Sequence, residues 1–217
     1  MNTDHIIAAT ETFVRQQLEG EGSGHDWWHV DRVRATARTL HSVEGGDQAI
    51  IDLALLLHDV GDRKGIKKDD DDYTIAEDFL REQRLDETTI DAIITIIKNM
   101  SYSRSFENTA RPTSIEFKIV QDADRLDAIG AIGIGRAFAF GGSRDRALYD
   151  PEASATAFAT RGDYIQSNGS TLHHFDEKLF LLKDTLNTAT AKTIAQDRDA
   201  FMHTFYDRFI DEWSGRA

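Results

Sequence analysis

The 217-residue sequence predicts an all-α fold, formed as a single domain over residues 1–217. Apolar residues recur three and four positions apart along most of the chain, which is the period of an amphipathic helix. Alternation of apolar and polar residues, the pattern of a strand, is scarce. Only two prolines, Pro112 and Pro151, interrupt the sequence, and 40% of its residues are hydrophobic. That is enough for one substantial core.

Three helices are predicted in the N-terminal part of the chain, where glycine-containing segments separate the apolar repeats. Their ranges are about 6–18, 26–44 and 47–61. The third is apolar on nearly all sides from Ala49 to Leu57, so we expect a buried central helix. It leads directly into a histidine and an aspartate, His58 and Asp59.

The remainder of the chain is also predicted to be helical, after a solvated loop at 63–72 that mixes lysines with four consecutive aspartates. Capping-box spacings mark two helix starts, Thr74 with Glu77 and Thr113 with Glu116. The later helices are predicted over about 90–97, 115–129, 130–142, 175–186 and 194–213.

Composition excludes several classes of protein. There is no cysteine, so disulfides and thiolate metal sites are ruled out, and a transition-metal site must use imidazole and carboxylate. The net charge of −13 argues against long nucleic acid as a partner. The apolar run Leu53 to Leu57 is too short to cross a bilayer, and residues 1–5 lack a signal-peptide pattern. A cytoplasmic protein without a membrane partner is therefore expected.

His58 and Asp59 are candidate metal ligands because a buried helix delivers them together. A buried, unpaired carboxylate is costly and tends to be protonated, paired or metal-bound. His29 and Asp124, on two other predicted helices, could complete the set. Two imidazoles and two carboxylates suit a divalent ion, and we expect Mn, Fe, Co, Mg, Ni or Zn. The alternative is that these residues are helix caps or core polar groups.

His25 and His29 are four residues apart, as in the H-E-x-x-H motif of zinc peptidases. The glutamate of that motif is replaced by Asp26, and no further ligand follows. We instead expect Asp26 to cap the helix that carries His29.

The order His29, His58-Asp59, Asp124 resembles the H…HD…D signature of the HD-domain metal-dependent phosphohydrolase superfamily. The flanking sequences are similar to a bacterial branch of small HD hydrolases that includes nucleotide pyrophosphohydrolases. The similar segments are 24–33, 57–64, 122–130 and 174–179, so the resemblance covers most of the chain. It implies an HD-type helical bundle with a metal-site core at about 20–130 and C-terminal helices at about 154–217.

The resemblance also implies two catalytic carboxylates. Asp62 is similar to a second acidic position near the family's metal site, and could orient or deprotonate the attacking water. Its alternative role is that of a solvated residue after a helix. Asp127, one turn after the last candidate ligand, could hold a metal-bound water or form a salt bridge with Arg125 or Arg32.

Five further side chains are candidates for substrate contact. Lys64, His174 and Lys178 could bind phosphate, because cations or imidazolium match the charge on a transferred phosphoryl group. Asn99 and Tyr102 could form hydrogen bonds with a base or sugar. The end of a capped helix explains these two residues as well.

These observations predict a metal-dependent phosphohydrolase that acts on a small phosphorylated substrate, most simply a nucleotide, by means of metal-activated water. Two reactions stay open, dephosphorylation and nucleoside triphosphate pyrophosphohydrolysis. An alternative of another class is a non-catalytic, metal-stabilised nucleotide-binding or regulatory module. A homodimer is also open, because the aromatic last helix could pack within one chain or between two.

Overall fold

The computed structural model describes residues 3–20, 24–60 and 73–217, and all regular structure within these ranges is helical. The predicted all-α class is confirmed. The predicted loop at 63–72, the predicted proton acceptor Asp62 and the predicted phosphate contact Lys64 lie outside the described residues. The α-helices are α1 (Thr3–Gln17), α2 (Trp27–Glu44), α3 (Gln48–Leu57), α4 (Thr74–Glu82), α5 (Glu87–Met100), α6 (Ile115–Asp127), α7 (Gly130–Ser143), α8 (Arg161–Gln166), α9 (His173–Glu177) and α10 (Ala189–Trp213), and two 3₁₀ helices are η1 (Tyr102–Phe106) and η2 (Leu179–Thr185).

Helix α3 is the buried central helix that the sequence predicts. Every residue from Ile51 to Leu57 is buried, and the helix packs against α1, α2, α5 and α6. The single charge in this stretch, Asp52, is paired with Arg34 at 3.0 Å between Oδ1 and Nε. The paired charge lets an otherwise apolar helix lie in the core, because an unpaired carboxylate there would be costly.

The ends of three helices meet on one side of this core. Asp26 caps α2 as predicted, and its side chain accepts a hydrogen bond from the backbone N–H of His29. Helix α3 ends at Leu57, so His58 and Asp59 lie in the turn after the helix rather than on it. Helix α6 packs along α2 and brings its last turn to the same place.

Both capping-box predictions are wrong. Tyr73 precedes α4 and makes no side-chain cap bond. At α6 the cap is Ser114, whose hydroxyl accepts from the N–H of Phe117 at 3.2 Å. Glu116 instead accepts from the backbone N–H of Asp47, at 2.9 Å, and so links two helix starts. The capping position depends on backbone conformation, which sequence spacing alone does not fix to one residue.

The glycine-rich segment forms α7, and its glycines permit close packing. Gly130 has a φ of +76°, and a Cβ there would lie 3.0 Å from the Arg198 side chain. A Cβ on Gly133 would lie 2.3 Å from the carbonyl oxygen of Ala128. Helix α7 can therefore turn back directly against the end of α6. It also packs against α10.

The predicted helix over 175–186 is divided in the structure. Lys178 has a φ of −145° and a ψ of −53°, outside the helical range, and separates α9 from η2. Among the described helices, none has both the length and the apolar character that a membrane span requires.

Candidate metal centre and adjoining cavity

The four predicted metal ligands come together where α2, α3 and α6 meet. The Nε2 atoms of His29 and His58 are 3.2 Å apart. Asp59 Oδ2 lies 3.6 Å from the first nitrogen and 3.3 Å from the second. Asp124 Oδ1 lies 3.4 and 3.9 Å from the same two atoms. The structure thus contains a possible divalent metal site, in which His29, His58 and Asp59 each offer a ligand atom within 4.8 Å of the others.

Hydrogen bonds to the other ring nitrogens determine which atoms face the centre. Nδ1 of His58 donates to the carbonyl of Leu55 at 2.8 Å, and Nδ1 of His29 donates to Asp127 at 2.7 Å. In neutral rings both Nε2 atoms therefore present lone pairs to the same point. Two lone pairs at this separation repel each other unless a positive charge lies with them. The arrangement is that of a cation site.

The electrostatics of the carboxylates agree with a cation site. Asp59 Oδ2 is buried and has no hydrogen-bond partner among the described residues. Burial opposes protonation of His29, but hydrogen bonds with Asp124 and Asp127 outweigh it and raise the pKa of His29 to about 9. The carboxylates thus favour positive charge at this point. This donor set of imidazole nitrogens and carboxylate oxygens fits a first-row divalent ion.

Asp127 lies behind the centre rather than in it. Its carboxylate accepts from Nδ1 of His29, from Nε and Nη2 of Arg32 at 2.9 and 3.0 Å, and from Nη1 of Arg136 at 3.0 Å. The predicted salt bridge with Arg32 is present, whereas Arg125 donates to a backbone carbonyl in η2. With both oxygens engaged, Asp127 orients His29, which is the usual role of such a carboxylate behind a metal-binding imidazole.

A cavity of about 280 Å³ adjoins the centre. His25 lines it, and the His25 ring packs edge-on against His29 with ring centroids 5.8 Å apart. Among the described residues no aspartate or glutamate lines this cavity, although the chain as a whole carries a net charge of −13. The polar and aromatic side chains that line it are those of His25, Arg136, Phe140, Arg146, Phe158, Tyr164, Ser167, His174 and Lys178.

Two of the predicted substrate contacts, His174 and Lys178, line this cavity. Nζ of Lys178 donates to the hydroxyl of Tyr164 at 2.9 Å and lies 5.2 Å from the ring centroid of Tyr102. Tyr102 therefore stands beside the cavity rather than in its wall. The amide of Asn99 donates to a carbonyl of its own helix at 2.8 Å, which is the helix-end alternative.

Sequence reasoning did not identify the two arginines of the cavity, Arg136 and Arg146. Arg136 is on the glycine-rich helix α7, and Arg146 follows that helix. Nε of Arg136 donates to the carbonyl of Gly24 at 2.9 Å, which links α7 to the start of α2. Three arginines within 136–146 were the only available signal, and charges at that density are usually solvated.

Comparison with known protein families agrees with this geometry. The HD domain model matches residues 27–129, the range that contains all four candidate ligands. Over 196 residues the chain is 40% identical to YpgQ, an uncharacterized protein of Bacillus subtilis, and the match covers 89% of this chain and 87% of YpgQ. The chain therefore belongs to the HD-domain superfamily, as its motif predicts.

Solved structures extend this similarity over nearly the whole chain. A protein of Lactobacillus plantarum has a TM-score of 0.88 at 40% identity, with 99% of this chain and 100% of that chain covered. An HD-superfamily hydrolase of Bacillus thuringiensis has a TM-score of 0.73 at 39% identity, with 98% and 99% covered. YpgQ in complex with ADP has a TM-score of 0.73 at 34% identity, with 98% and 96% covered.

Proposed function

We propose that this protein is a metal-dependent phosphohydrolase that acts on nucleotides. One observation carries the proposal: a cation site lies next to a cavity whose charged wall residues, among those that the structure describes, are all cationic. In the same part of the chain a buried carboxylate oxygen of the cation site has no hydrogen bond. Such a pair of sites suits an anionic substrate held between a metal ion and basic side chains. The ADP complex of YpgQ and the hydrolase of Bacillus thuringiensis, both similar to this chain, support the proposal.

In this proposal His29, His58, Asp59 and Asp124 hold the ion. A divalent ion bound there would supply Lewis-acid activation of water and of a phosphoryl oxygen. Asp127 keeps Nδ1 of His29 protonated, so that Nε2 faces the ion. We retain Asp62 as the proposed proton acceptor, on the basis of the family resemblance.

Among the cations of the cavity wall, Arg136 is linked to the metal centre through hydrogen bonds with a shared carboxylate. Its guanidinium is bonded to Asp127, which also holds His29, and to the carbonyl of Gly24. A guanidinium that is fixed in this way can orient a phosphoryl group at little entropic cost. His174, Lys178 and Lys64 are proposed as the further phosphate contacts.

The aromatic walls favour a nucleotide over a simpler phosphate ester. Phe140, Phe158 and Tyr164 line the same cavity as the cations, and Tyr102 contacts Tyr164 with ring centroids 5.4 Å apart. Aromatic faces bind purine or pyrimidine rings by stacking, and this contact tolerates different bases. A ligand with both an anionic and an aromatic part makes use of both kinds of wall.

The test is product analysis on a panel of nucleoside mono-, di- and triphosphates with Mn²⁺, Mg²⁺, Co²⁺ and Zn²⁺. Wild type is compared with His58→Ala and with His203→Ala, a change at a half-exposed histidine of α10. We expect metal-dependent release of phosphate or pyrophosphate that only His58→Ala abolishes. Bound metal and bound nucleotide without turnover would contradict a hydrolase and favour the regulatory module.

A further inference from the structure

Arg146 and Lys178 are cavity cations whose hydrogen-bond partners are neutral. Nη2 of Arg146 donates to the backbone carbonyl of Ser167, and Nζ of Lys178 donates to the hydroxyl of Tyr164. Arg136 differs, because Asp127 balances its charge. In the part of the chain that the structure describes, no wall carboxylate balances Arg146 or Lys178. The balancing charge is therefore one that a ligand can bring.

His174 lies with these two cations. The backbone N–H of Lys178 donates to the carbonyl of His174 at 3.0 Å, and both side chains line the same cavity. Burial, followed by the charges of Lys178 and Arg146, lowers the pKa of His174 to about 3. The other titratable groups of the cavity wall are His25, Arg136 and Tyr164. The positive charges of Lys178 and Arg146 therefore disfavour a third positive charge at this end of the cavity and favour an anion.

Both cations are held in place before a ligand binds. The Lys178 ammonium lies beside two tyrosine rings, 5.2 Å from the Tyr102 ring centroid and 5.3 Å from that of Tyr164. The Arg146 guanidinium lies 5.7 Å from the ring centroid of Phe140 and is bonded to a backbone carbonyl. Fixed donors lose less side-chain entropy on binding than mobile surface lysines and arginines do.

We propose that Arg146, Lys178 and His174 form a second anion subsite, which binds a phosphate group other than the one attacked at the metal centre. Arg136, which is tied to Asp127 and Gly24, belongs to the metal end of the cavity, so the two cationic groups are distinct. The subsite rests on the proposed function, in that the cavity is taken to be the nucleotide site. It selects ligands with at least two phosphates over monophosphates.

Calorimetric titration of ADP, AMP and pyrophosphate into the metal-loaded protein tests the subsite. Wild type is compared with Arg146→Gln, with Lys178→Met and with the control Arg144→Gln. Arg144 is exposed, two residues from Arg146, and its loss makes the same charge change. A charge-assisted hydrogen bond contributes about 1.5–3 kcal/mol, which corresponds to about tenfold or more in affinity.

We expect wild type to bind ADP at least about tenfold more tightly than AMP, in line with that contribution. Arg146→Gln and Lys178→Met should each weaken ADP and pyrophosphate by about tenfold and AMP by less than about twofold. Arg144→Gln should change none of the affinities. If Arg146→Gln lowers the melting temperature, Arg146→Lys, which keeps the charge, should fold and retain most of the ADP preference.

Several results would overturn the subsite. These are equal losses for ADP and AMP, no preference for ADP in wild type, the same loss in Arg144→Gln, or no binding of ADP or pyrophosphate. The outcome is separable from that of the proposed function. If the protein binds ADP more tightly than AMP but hydrolyses no nucleotide, the subsite is supported and the proposed hydrolase is contradicted. If it hydrolyses nucleotides and the variants keep the wild-type preference for ADP, the hydrolase is supported and the subsite is contradicted.

Discussion

The metal centre and the adjoining cavity differ in how their charges are balanced. At the centre, carboxylates face imidazoles and arginines at hydrogen-bond or ion-pair distance, as between Asp127 and Arg32 at 2.9 Å. In the cavity, the hydrogen bonds of Arg146 and Lys178 to the described residues go to neutral oxygens. The first region is suited to retain a cation, and the second is suited to receive an anion. The difference shows that a chain with a net charge of −13 can still concentrate positive charge in one cavity.

The largest effect is expected from Asp59→Asn, which keeps the side-chain shape and removes the charge. Turnover should fall to background, because an amide is a much weaker metal ligand than a carboxylate. The metal-free variant should be less stable than metal-free wild type, because the burial of Asp59 is outweighed by the charges of His58, His25 and His29, which lower its pKa, so the ionised carboxylate stabilises the fold. Melting temperatures with and without Mn²⁺ check this: added Mn²⁺ should stabilise wild type but not the variant. Stabilisation by Mn²⁺ in both proteins would contradict the assignment.

Asp127→Asn should weaken metal binding by about 10- to 100-fold, because the carboxylate that orients His29 loses its charge. Titration with Mn²⁺ measures this loss. A matched control is Asp199→Asn, another buried carboxylate, whose partner Lys183 lies 2.6 Å away in the C-terminal part of the fold. That change should lower stability and leave the metal affinity unaltered. Equal loss of metal affinity in the two variants would contradict the proposal that Asp127 positions His29.

His174→Gln should flatten the acid side of the stability profile. In wild type the unfolded chain binds a proton on this histidine below about pH 6.5, whereas the folded pKa is about 3. The unfolded state therefore binds more protons in this window, and stability falls as pH falls, by up to about 1.4 kcal/mol per pH unit. Urea titrations at several pH values between these limits compare the slopes. An unchanged slope in the variant would contradict the lowered pKa of His174, which burial and then the charges of Lys178 and Arg146 cause.

Ser114→Ala should have the smallest effect. The hydroxyl caps α6 far from its last turn, and removal of such a cap costs about 1 kcal/mol of the free energy of unfolding. Mn²⁺ affinity and ADP affinity should not change. A loss of metal affinity would show that a change at the start of α6 alters the site at its other end, which would contradict this prediction.

The helices were predictable because their apolar periods are regular. Helix α3 is the clearest case, since a run of apolar residues after a capping aspartate allows few other structures. Its exact end was not predictable, and so His58 and Asp59 were expected on the helix rather than in the following turn. The start of α6 was likewise misplaced by one residue, because Thr113 and Ser114 are both good caps.

The metal centre was more accessible to sequence reasoning than the cavity. Its residues follow the motif His29, His58-Asp59, Asp124, and His58 and Asp59 come directly after an apolar helix, where a charged residue is unexpected. The cavity depends on tertiary structure, in that α7 must turn back on α6 through Gly133 before Arg136 can reach Asp127 and Gly24. No residue spacing in the sequence predicts the contacts of Arg136 with Asp127 and Gly24.

The most direct test of the central claim is the stoichiometry of Mn²⁺ binding to metal-free protein, measured by titration calorimetry on wild type, His58→Ala, Asp124→Asn and the control His203→Ala. The arrangement of imidazole and carboxylate groups predicts stoichiometric binding in wild type and in the control, and loss of that binding in the other two variants. Absence of Mn²⁺ binding in wild type, or unchanged binding in His58→Ala, would contradict the metal centre and the function proposed from it.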